Sequence, residues 1–378
     1  MTEITIENEN TKQLYFKNLR KLNKQFLGLQ NIFLSSNPDI YSFKKNFLKN
    51  HDHTVLINEI NFKLTGTEKC FSIEIDEPSE VYFNLLELKI FNPDYTDFDD
   101  IFEQICFGIG KQRLTSLYNK STIEIYNKIF KSGKGLRQIG QYMYIPLPFI
   151  NSEALINSPQ NIPKDGAMDL RSWDKSVNIK FRIKNNNRLN TLVLSEKMSL
   201  YGTKYILDDP LSVIDTNIMK EMIYHQIQFT GKESYGYYDS KDRSENEKIS
   251  KDCEEDFLHL NFNHLIHAFY IETNVSNDLI SHFTLEVDGM VVLKYTPAEL
   301  HQINTNLGYP DLKFPTFIFG NNTDSYSNTI PNFSRIEKAC LRISFKIPLD
   351  VHRTYEIFAI NYNVLRTVSH HYGLGYSN

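Results

Sequence analysis

Cysteine is scarce and unpaired in the sequence. Four residues, Cys70, Cys106, Cys253 and Cys340, lie far apart, and no CxxC or CxxH motif is present. This spacing favours buried thiols in a reducing compartment over a disulfide framework or a zinc site. A run of about 18 apolar residues, which a membrane-spanning helix needs, is also missing. The first residues are acidic and polar, which is not the composition of a secretory signal.

A basic excess is missing as well. The chain has 41 Lys and Arg residues against 46 Asp and Glu residues, which gives a net charge of −5. Proteins that bind duplex DNA normally show a basic excess, so direct nucleic-acid binding is not expected. What the chain does have is 378 residues, of which 41% are hydrophobic and 23% are charged. This length and composition predict two or three globular domains, each large enough to bury its own core.

Residues 11–29 have the pattern of a basic amphipathic helix. Tyr15, Leu19, Leu22 and Phe26 recur at helical spacing, with lysine and arginine residues largely between them. One interpretation is an N-terminal arm, residues 1–29, that contacts an acidic membrane surface or a partner protein. The alternative is a helix packed against its own domain, and the sequence leaves both open.

From residue 30 the apolar pattern changes to period two, which is typical of half-buried antiparallel strands. Runs of this kind in the first half lie at 59–64, 71–76 and 177–183. Between them, apolar residues from Phe98 to Ile109 at helical spacing predict one helix. The polar stretch 184–188 has no apolar periodicity, and we interpret it as the boundary between two halves.

The second half predicts further strands with a helix at its start. Asp209 before Pro210 is an N-cap signal, and helical spacing continues to Met222. Residues 239–256 are charged and nearly free of aliphatic side chains, which predicts a mobile surface loop. Strands are predicted at 226–230, 257–263, 265–272, 341–347 and 355–365.

Two turn signals are specific. The Asp288-Gly289 pair between apolar runs predicts a type I′ hairpin, and Thr296 with Glu299 predicts a capping box at the start of a short helix. Many short strands and few helices in each half indicate two antiparallel sandwiches. Periodicity does not indicate which kind of sandwich.

Six segments carry a resemblance to a known family. In sequence order they are IFLSSNPDIYSFKK at 32–45 with His51 or His53 and Thr54 after it, YIPLPF at 144–149, QIQFTG at 226–231, LNFNH at 260–264, NFSRI at 332–336, and NYNVLR at 361–366 followed by GLGYSN at 373–378. These segments resemble the double jelly-roll major capsid proteins of the nucleocytoplasmic large DNA viruses. Six motifs in the right order are far more specific than any one of them.

The resemblance implies an all-β fold of two consecutive eight-stranded antiparallel jelly rolls with short helical insertions. The expected domains are an N-terminal arm at 1–29, a first jelly roll at 30–185 and a second at 186–378. The implied function is that of a structural capsid protein, whose homotrimers form pseudo-hexagonal capsomers that tile an icosahedral virion shell. The implied place of assembly is the host cytoplasm.

The expected partners are further copies of the chain, neighbouring capsomers, minor capsid proteins and, through the arm, an internal membrane, without direct contact to nucleic acid. Two alternatives stay open. One is a poxvirus-like scaffold or minor capsid paralogue that shapes the immature virion membrane. The other is a two-sandwich carbohydrate-binding or hydrolase module, since a fold does not fix a function.

No catalytic, cofactor-binding or metal-binding residues are predicted, no cofactor is expected, and the protein is not expected to be an enzyme. The strongest candidate is His51-Asp-His53 with Glu59, which nearly matches the first metal motif of the cupins. The gap from histidine to glutamate is one residue too long, however, and no second segment supplies a third histidine. His264 and His267 would point to opposite faces of a strand, so we expect them at a surface or an interface.

The remaining candidates have simpler explanations. The glycine pairs at 108–110 and 133–135 lack the spacing of a phosphate-binding loop. The acidic pair Asp99-Asp100 is expected at a helix start, where the helix dipole favours it. The acidic triplet Glu254-Glu255-Asp256 is expected in a solvated loop.

Overall fold

The computed structural model of the chain divides into two compact units. One lies within Asn46–Ile227 and Tyr362–Ser377, and the other includes Gln228–Asn361. The residues that the structure describes are 53–66, 70–76, 81–94, 96–129, 135–147, 168–169, 177–184, 198–207, 220–235, 253–319, 331–349, 351–368 and 371–376. The predicted N-terminal arm, 1–29, lies outside them.

The first part of the chain forms two antiparallel sheets. Their orders are β1-β11-β4-β8-β7, with β9 paired to β4, and β2-β3-β10-β5-β6. The strands are β1 His53–Ile60, β2 Phe62–Gly66, β3 Cys70–Ile75, β4 Val81–Phe91, β5 Phe102–Ile109, β6 Gln112–Leu117, β7 Arg137–Ile139, β8 Tyr142–Pro146, β9 Met168–Asp169, β10 Val177–Ile183 and β11 Ser199–Leu207. Two helices interrupt them, α1 Phe98–Ile101 and α2 Lys120–Ile129.

The second part again forms two sheets. Their orders are β12-β19-β14-β17, with β20 paired to β19, and β13-β18-β15-β16. The strands are β12 Lys220–Tyr235, β13 Cys253–His259, β14 Leu265–Thr273, β15 Ile280–Val287, β16 Met290–Tyr295, β17 Thr316–Ile318, β18 Ala339–Leu349, β19 Arg353–Val368 and β20 His371–Leu374. The helix α3 is Pro297–Asn306, and short 3-10 turns lie at Asn277–Leu279 and Phe333–Arg335.

The same strand order occurs twice along the chain. The first set is β1-β11-β4-β8 with β3-β10-β5-β6, and the second is β12-β19-β14-β17 with β13-β18-β15-β16. In each set of eight, the first strand lies beside the last, and the second strand lies beside the seventh. Eight antiparallel strands wound in this order form a jelly roll. The predicted fold of two consecutive jelly rolls with short helical insertions is confirmed.

The predicted domain limits, 1–29, 30–185 and 186–378, stay a prediction. The sheet order adds that β11, which follows the predicted boundary at 185, lies between β1 and β4. The division into compact units comes later still, after Ile227. It falls within β12, and β19 likewise contains residues of both units.

The two sheets of the Gln228–Asn361 unit share one apolar core. Phe283 of β15 meets Phe317 of β17 edge to face, with 5.8 Å between ring centroids, and Phe317 stacks on Phe269 of β14 at 4.6 Å. β15 belongs to one sheet and β17 to the other, so these rings join the two layers. Burying each such side chain stabilises the fold by about 1.5–3 kcal/mol.

The other unit has a comparable aromatic core. Phe181 in the central strand β10 stacks on Phe71 of β3 with 4.6 Å between ring centroids, and it contacts Phe102 of β5 at 5.9 Å. All three side chains are buried. The predicted strand at 177–183 is therefore confirmed, and it is the strand around which its sheet packs.

The helix predicted from Phe98 to Ile109 is wrong in most of its length. Only one turn, α1, is helical, and Phe102 already has extended backbone angles. β5 then runs between β10 and β6, and its buried side chains Phe102, Ile105, Phe107 and Ile109 all pair with buried residues of β10. A bulge next to Phe102 shifts the register, so Phe102 and Ile105, three residues apart, share one face and their spacing resembled that of a helix.

Three further expectations need correction. Met222 lies in β12, so the predicted helix does not extend to it, and 209–219 lie outside the described residues. Residues 253–256 of the predicted loop at 239–256 belong to β13, and 239–252 lie outside the described residues. β13 also ends at His259, before the end of the strand predicted at 257–263.

The helix α2 was not predicted. Asn119 caps it by accepting a hydrogen bond from the Thr122 backbone N–H at 2.8 Å.

Both specific turn predictions are confirmed. Asp288 and Gly289 have φ values of 46° and 78°, the positive angles that a type I′ turn requires. The Thr296 hydroxyl accepts from the Glu299 N–H at 3.2 Å, and the Glu299 carboxylate accepts from the Thr296 N–H at 3.0 Å. This reciprocal pair is a capping box.

Candidate functional site

Three of the resemblance motifs meet in the Gln228–Asn361 unit. The Gln228 side chain accepts from the Asn263 N–H at 2.9 Å and donates to the Asn263 carbonyl at 2.8 Å. Next to it, the His264 N–H donates to Ser334 Oγ at 2.7 Å, and the Phe333 N–H donates to the His264 carbonyl at 2.8 Å. Hydrogen bonds from side chains to the backbone, and one between two backbone groups, therefore join the segments at 226–231, 260–264 and 332–336.

The turn in the NFSRI motif has a capping residue of its own. The Asn332 side chain accepts from the Ser334 N–H at 3.2 Å, and Asn332 forms an isolated β-bridge with Leu265. His264 takes the left-handed backbone conformation, with φ at 66°, just before β14 begins. These polar side chains replace ladder hydrogen bonds where the strand cannot supply them.

The hydrogen bonds of the last motif, NYNVLR with the glycine-rich segment after it, lie within the unit of Asn46–Ile227 and Tyr362–Ser377. The Gly375 N–H donates to the Val364 carbonyl at 2.7 Å, and a Cβ on Gly375 would lie 3.1 Å from the Val364 Cβ. Asn363, which is fully buried, donates to Gln226 Oε1 at 3.3 Å and to the Tyr376 carbonyl at 3.2 Å. The NYNVLR strand and the glycine-rich end thus form one local structure, in which a glycine allows the close approach.

A buried ion pair lies inside the Gln228–Asn361 unit. Arg353 of β19 donates from Nε and Nη2 to the two Asp256 oxygens, at 2.7 and 3.0 Å. Its Nη1 donates to the carbonyls of Leu349 and Val351, both at 3.0 Å. The Tyr355 hydroxyl donates to the same carboxylate at 2.7 Å. The charges are therefore paired and hydrogen-bonded, as buried charges must be.

This network corrects one expectation. Asp256, predicted in a solvated loop, is 1% exposed. Burial and the nearby Asp256 charge raise the pKa of the Tyr355 hydroxyl. A tyrosine held neutral in this way donates a hydrogen bond at any ordinary pH, so the arrangement serves structure rather than proton transfer.

The two candidate histidines at 264 and 267 are not surface residues. Both are buried, at 3% exposure each, so that expectation is wrong. Burial lowers the pKa of His267 to about 4. β14 lies inside its sheet between β19 and β17, and all its residues up to Ile271 are buried, which the sequence spacing of two histidines could not indicate.

The cupin-like candidate has little to support it. His51 lies outside the described residues, the side chain of His53 is not described, and Glu59 is exposed. In the part of the chain that the structure describes, no group of three His, Cys, Asp or Glu side chains could hold a metal ion. The absence of catalytic, cofactor and metal residues stays a prediction.

The glycine and acidic candidates have structural roles where they are described. A Cβ on Gly108 would lie 2.5 Å from the Gln112 carbonyl oxygen, so glycine is needed in the β5–β6 hairpin. Gly133 lies outside the described residues. Asp99, in the first turn of α1, accepts from the Lys120 N–H at 2.7 Å and so ties α1 to the start of α2. Among the described helices, none has the length and apolar content to cross a membrane.

Comparisons with known proteins agree with this architecture. No protein-family model and no curated protein matches the sequence. Among solved structures, the PBCV-1 virus capsid model aligns with a TM-score of 0.63 and 16% identity, covering 89% of this chain and 100% of that chain. The PBCV-1 protein fitted into a reconstruction of the virophage Sputnik aligns with a TM-score of 0.61, also at 16% identity and with the same coverage.

A third similar structure is the Faustovirus major capsid protein. It aligns with a TM-score of 0.54 and 7% identity, over 94% of this chain and 98% of that chain. At these identities the likeness establishes the fold. The chain therefore has the double jelly-roll fold that these viral capsid proteins share.

Proposed function

We propose that this chain is a structural capsid protein. The observation that carries the proposal is the alignment of its two jelly rolls with the PBCV-1 capsid chain over the whole length of that chain. The motif segments add support, because three of them fix one another and the last closes a buried strand. The residues of these segments that the structure describes help to build the fold.

The proposed unit of assembly is a homotrimer. Three chains with two jelly rolls each place six sandwiches around a threefold axis, and such a ring has a nearly hexagonal outline that can tile an icosahedral shell. A closed ring of this kind uses a heterologous interface, in which each copy contributes two different surfaces. An obligate interface typically buries more than about 2,000 Å², so the trimer should persist at low concentration.

The proposed location is the virion shell, with assembly in the host cytoplasm. The proposed partners are neighbouring capsomers, minor capsid proteins and an internal membrane that residues 1–29 contact. The protein acts through packing and not as an enzyme. Its functional surfaces are then those that meet other copies.

Light scattering during gel filtration tests the proposal. At micromolar concentration the purified chain should elute with three times its mass of 44.3 kDa. It should keep that mass on dilution into the nanomolar range, because an obligate interface is large. A mass of one chain at micromolar concentration would contradict the proposal.

A further inference from the structure

The division between the two compact units falls inside two neighbouring strands. β12 and β19 have 16 residues each and lie side by side in one sheet. The division follows Ile227 in β12 and Asn361 in β19. Independent domains are normally joined by an exposed, flexible linker that few contacts cross. Two neighbouring strands that continue from one unit into the other are not a linker of this kind.

The start of β12 belongs to the unit that contains the first jelly roll. The Ile227 N–H donates to Thr115 Oγ1 of β6 at 3.0 Å, although the two residues are 112 positions apart. His225 Nδ1 lies 3.3 Å from the hydroxyl oxygen of Tyr126 in α2, which is 99 positions away. All four residues are buried. β12 therefore supplies buried contacts both to α2 and to β6, which is an edge strand of its sheet.

The end of β19 enters the same unit. The centroid of the Tyr362 ring lies 5.0 Å from that of the His225 ring, and Asn363 Nδ2 donates to Gln226 Oε1 at 3.3 Å. Val364 is fully buried, and β20 pairs with this part of β19. Residues 362–376 therefore belong to the unit of a jelly roll whose own strands end with β11.

The first roll depends on these two segments for part of its buried surface. Without them, Thr115 would lose Ile227 as a partner and Tyr126 would lose His225. The buried side chains of both segments, such as Val364, would be returned to water, and each contributes to stability in proportion to its apolar area. The stability of a domain is a small difference between large terms, so the loss of several buried side chains is comparable with the whole. The first roll is therefore not expected to be stable alone.

We infer that the two jelly rolls fold and unfold as one cooperative unit, in which the first roll becomes stable only after residues 362–376 have joined it. On the other side of the division the same strands are again in contact, since Phe229 of β12 stacks on Phe358 of β19 with 4.5 Å between ring centroids. If the Gln228–Asn361 unit unfolded alone, it would become a long flexible loop between the two segments. Closing such a loop costs entropy, so the segments would be released and the first roll would lose stability as well.

The order of synthesis gives this coupling a consequence for assembly. β11 ends at Leu207, and residues 362–376 follow it roughly 8–30 s later at a synthesis rate of about 5–20 residues per second. During this interval the first roll lacks the segments that complete it. A partly made chain therefore presents no stable first roll to other copies, and the fold restricts assembly to chains that extend through residue 376.

Hydrogen exchange of the intact chain in low concentrations of urea tests the inference. Leu285→Ala removes a buried side chain from β15, which lies in the sheet that does not contain β12 or β19. It should speed exchange at the slowest amides of β5 and β10, in the first roll, by the same factor as at those of β18, about thirtyfold or more. Ile179→Ala, in β10, should have the reciprocal effect on β15 and β18. The control is Lys294→Ala, at an exposed position on β16, which should leave exchange in both rolls within about threefold of the unaltered chain.

The contribution of the β19 end is measured in the same way. Val364→Ala should speed exchange at the slowest amides of β5 and β10 by about tenfold or more, because the first roll needs this segment. Faster exchange that is confined to β19 and β20 would overturn the inference, since the segment would then be an appendage of the first roll.

The outcome for Leu285→Ala decides whether the two rolls are coupled. Faster exchange in the second roll alone would overturn the inference, because the rolls would then unfold separately. If that variant does not fold, Ile343→Val on β18 makes a smaller change in the same core, with an expected factor of about two to ten in both rolls.

Dilution separates coupling within the chain from coupling through association between copies. Strands shared within one chain act at any protein concentration, so the common factor should be the same at two concentrations about tenfold apart. A common factor that disappears on dilution would overturn the inference.

Discussion

At the scale of single residues, Arg353 holds a buried charge inside the Gln228–Asn361 unit. It has no exposure to solvent, and its donors go to Asp256 and to two backbone carbonyls. A buried charge that loses its partner cannot be solvated, so removing one member of such a pair costs more than the pair itself contributes. Loss of either Arg353 or Asp256 is therefore expected to lower the stability of the unit.

The first prediction concerns this ion pair. Arg353→Met should lower the free energy of unfolding by about 3–5 kcal/mol, because Asp256 is left buried without a cation. Urea unfolding followed by circular dichroism measures the change. The control is Arg182→Met, which removes an exposed pair with Glu103 whose side chains are 58% and 53% exposed, and should cost at most about 1 kcal/mol. Equal losses in the two variants would show that burial is not the cause.

A second prediction at this scale concerns acid stability. The pKa of His267 is lowered from 6.5 to about 4 by burial, so between these values the unfolded chain binds a proton that the folded chain does not. Stability should therefore fall as the pH drops from 6.5 to 4, by about 3 kcal/mol in total.

Unfolding measured across this pH window tests the prediction. His267→Met should flatten the pH dependence, whereas His259→Met, at an exposed position on β13, should leave it unchanged. A slope that survives in the His267→Met variant would assign the acid sensitivity to another group.

At the scale of elements, the sequence predicted best where a local pattern was sufficient. The Asp288-Gly289 hairpin and the Thr296 capping box depend on residues within four positions of each other, and both are confirmed. The Phe98–Ile109 helix failed because β5 pairs with β10, a strand distant in sequence, and a bulge next to Phe102 places apolar residues three apart on one face. The acidic triplet failed for the same reason, since Arg353, the partner of Asp256, is 97 residues away.

The third prediction concerns the β15–β16 hairpin. Gly289→Ala should destabilise the fold by about 1 kcal/mol, because its φ of +78° is unfavourable for a residue with a Cβ. A Cβ there would meet no atom within 4 Å, so the cost is conformational. Gly135→Ala is the control, because that site is equally open and its φ does not lie in the unfavourable positive range. Thermal unfolding should show no change in stability for this variant. A loss of the same size at both positions would contradict the assignment.

At the scale of the whole molecule, the repetition of one strand order is what gives the chain its proposed role. The sequence indicated two sandwiches from its periodicity, and only the resemblance indicated jelly rolls. The winding could not be read from local pattern, since it is set by which strands pair across long intervals, such as β1 with β11. Two such rolls in one chain allow three copies to form a six-part ring.

Electron microscopy of the purified protein tests this central claim most directly. Negatively stained particles at micromolar concentration should average to a threefold ring with six lobes and a nearly hexagonal outline. Averages that show single two-lobed particles would contradict the account, because a chain that does not assemble cannot form the tile of a shell.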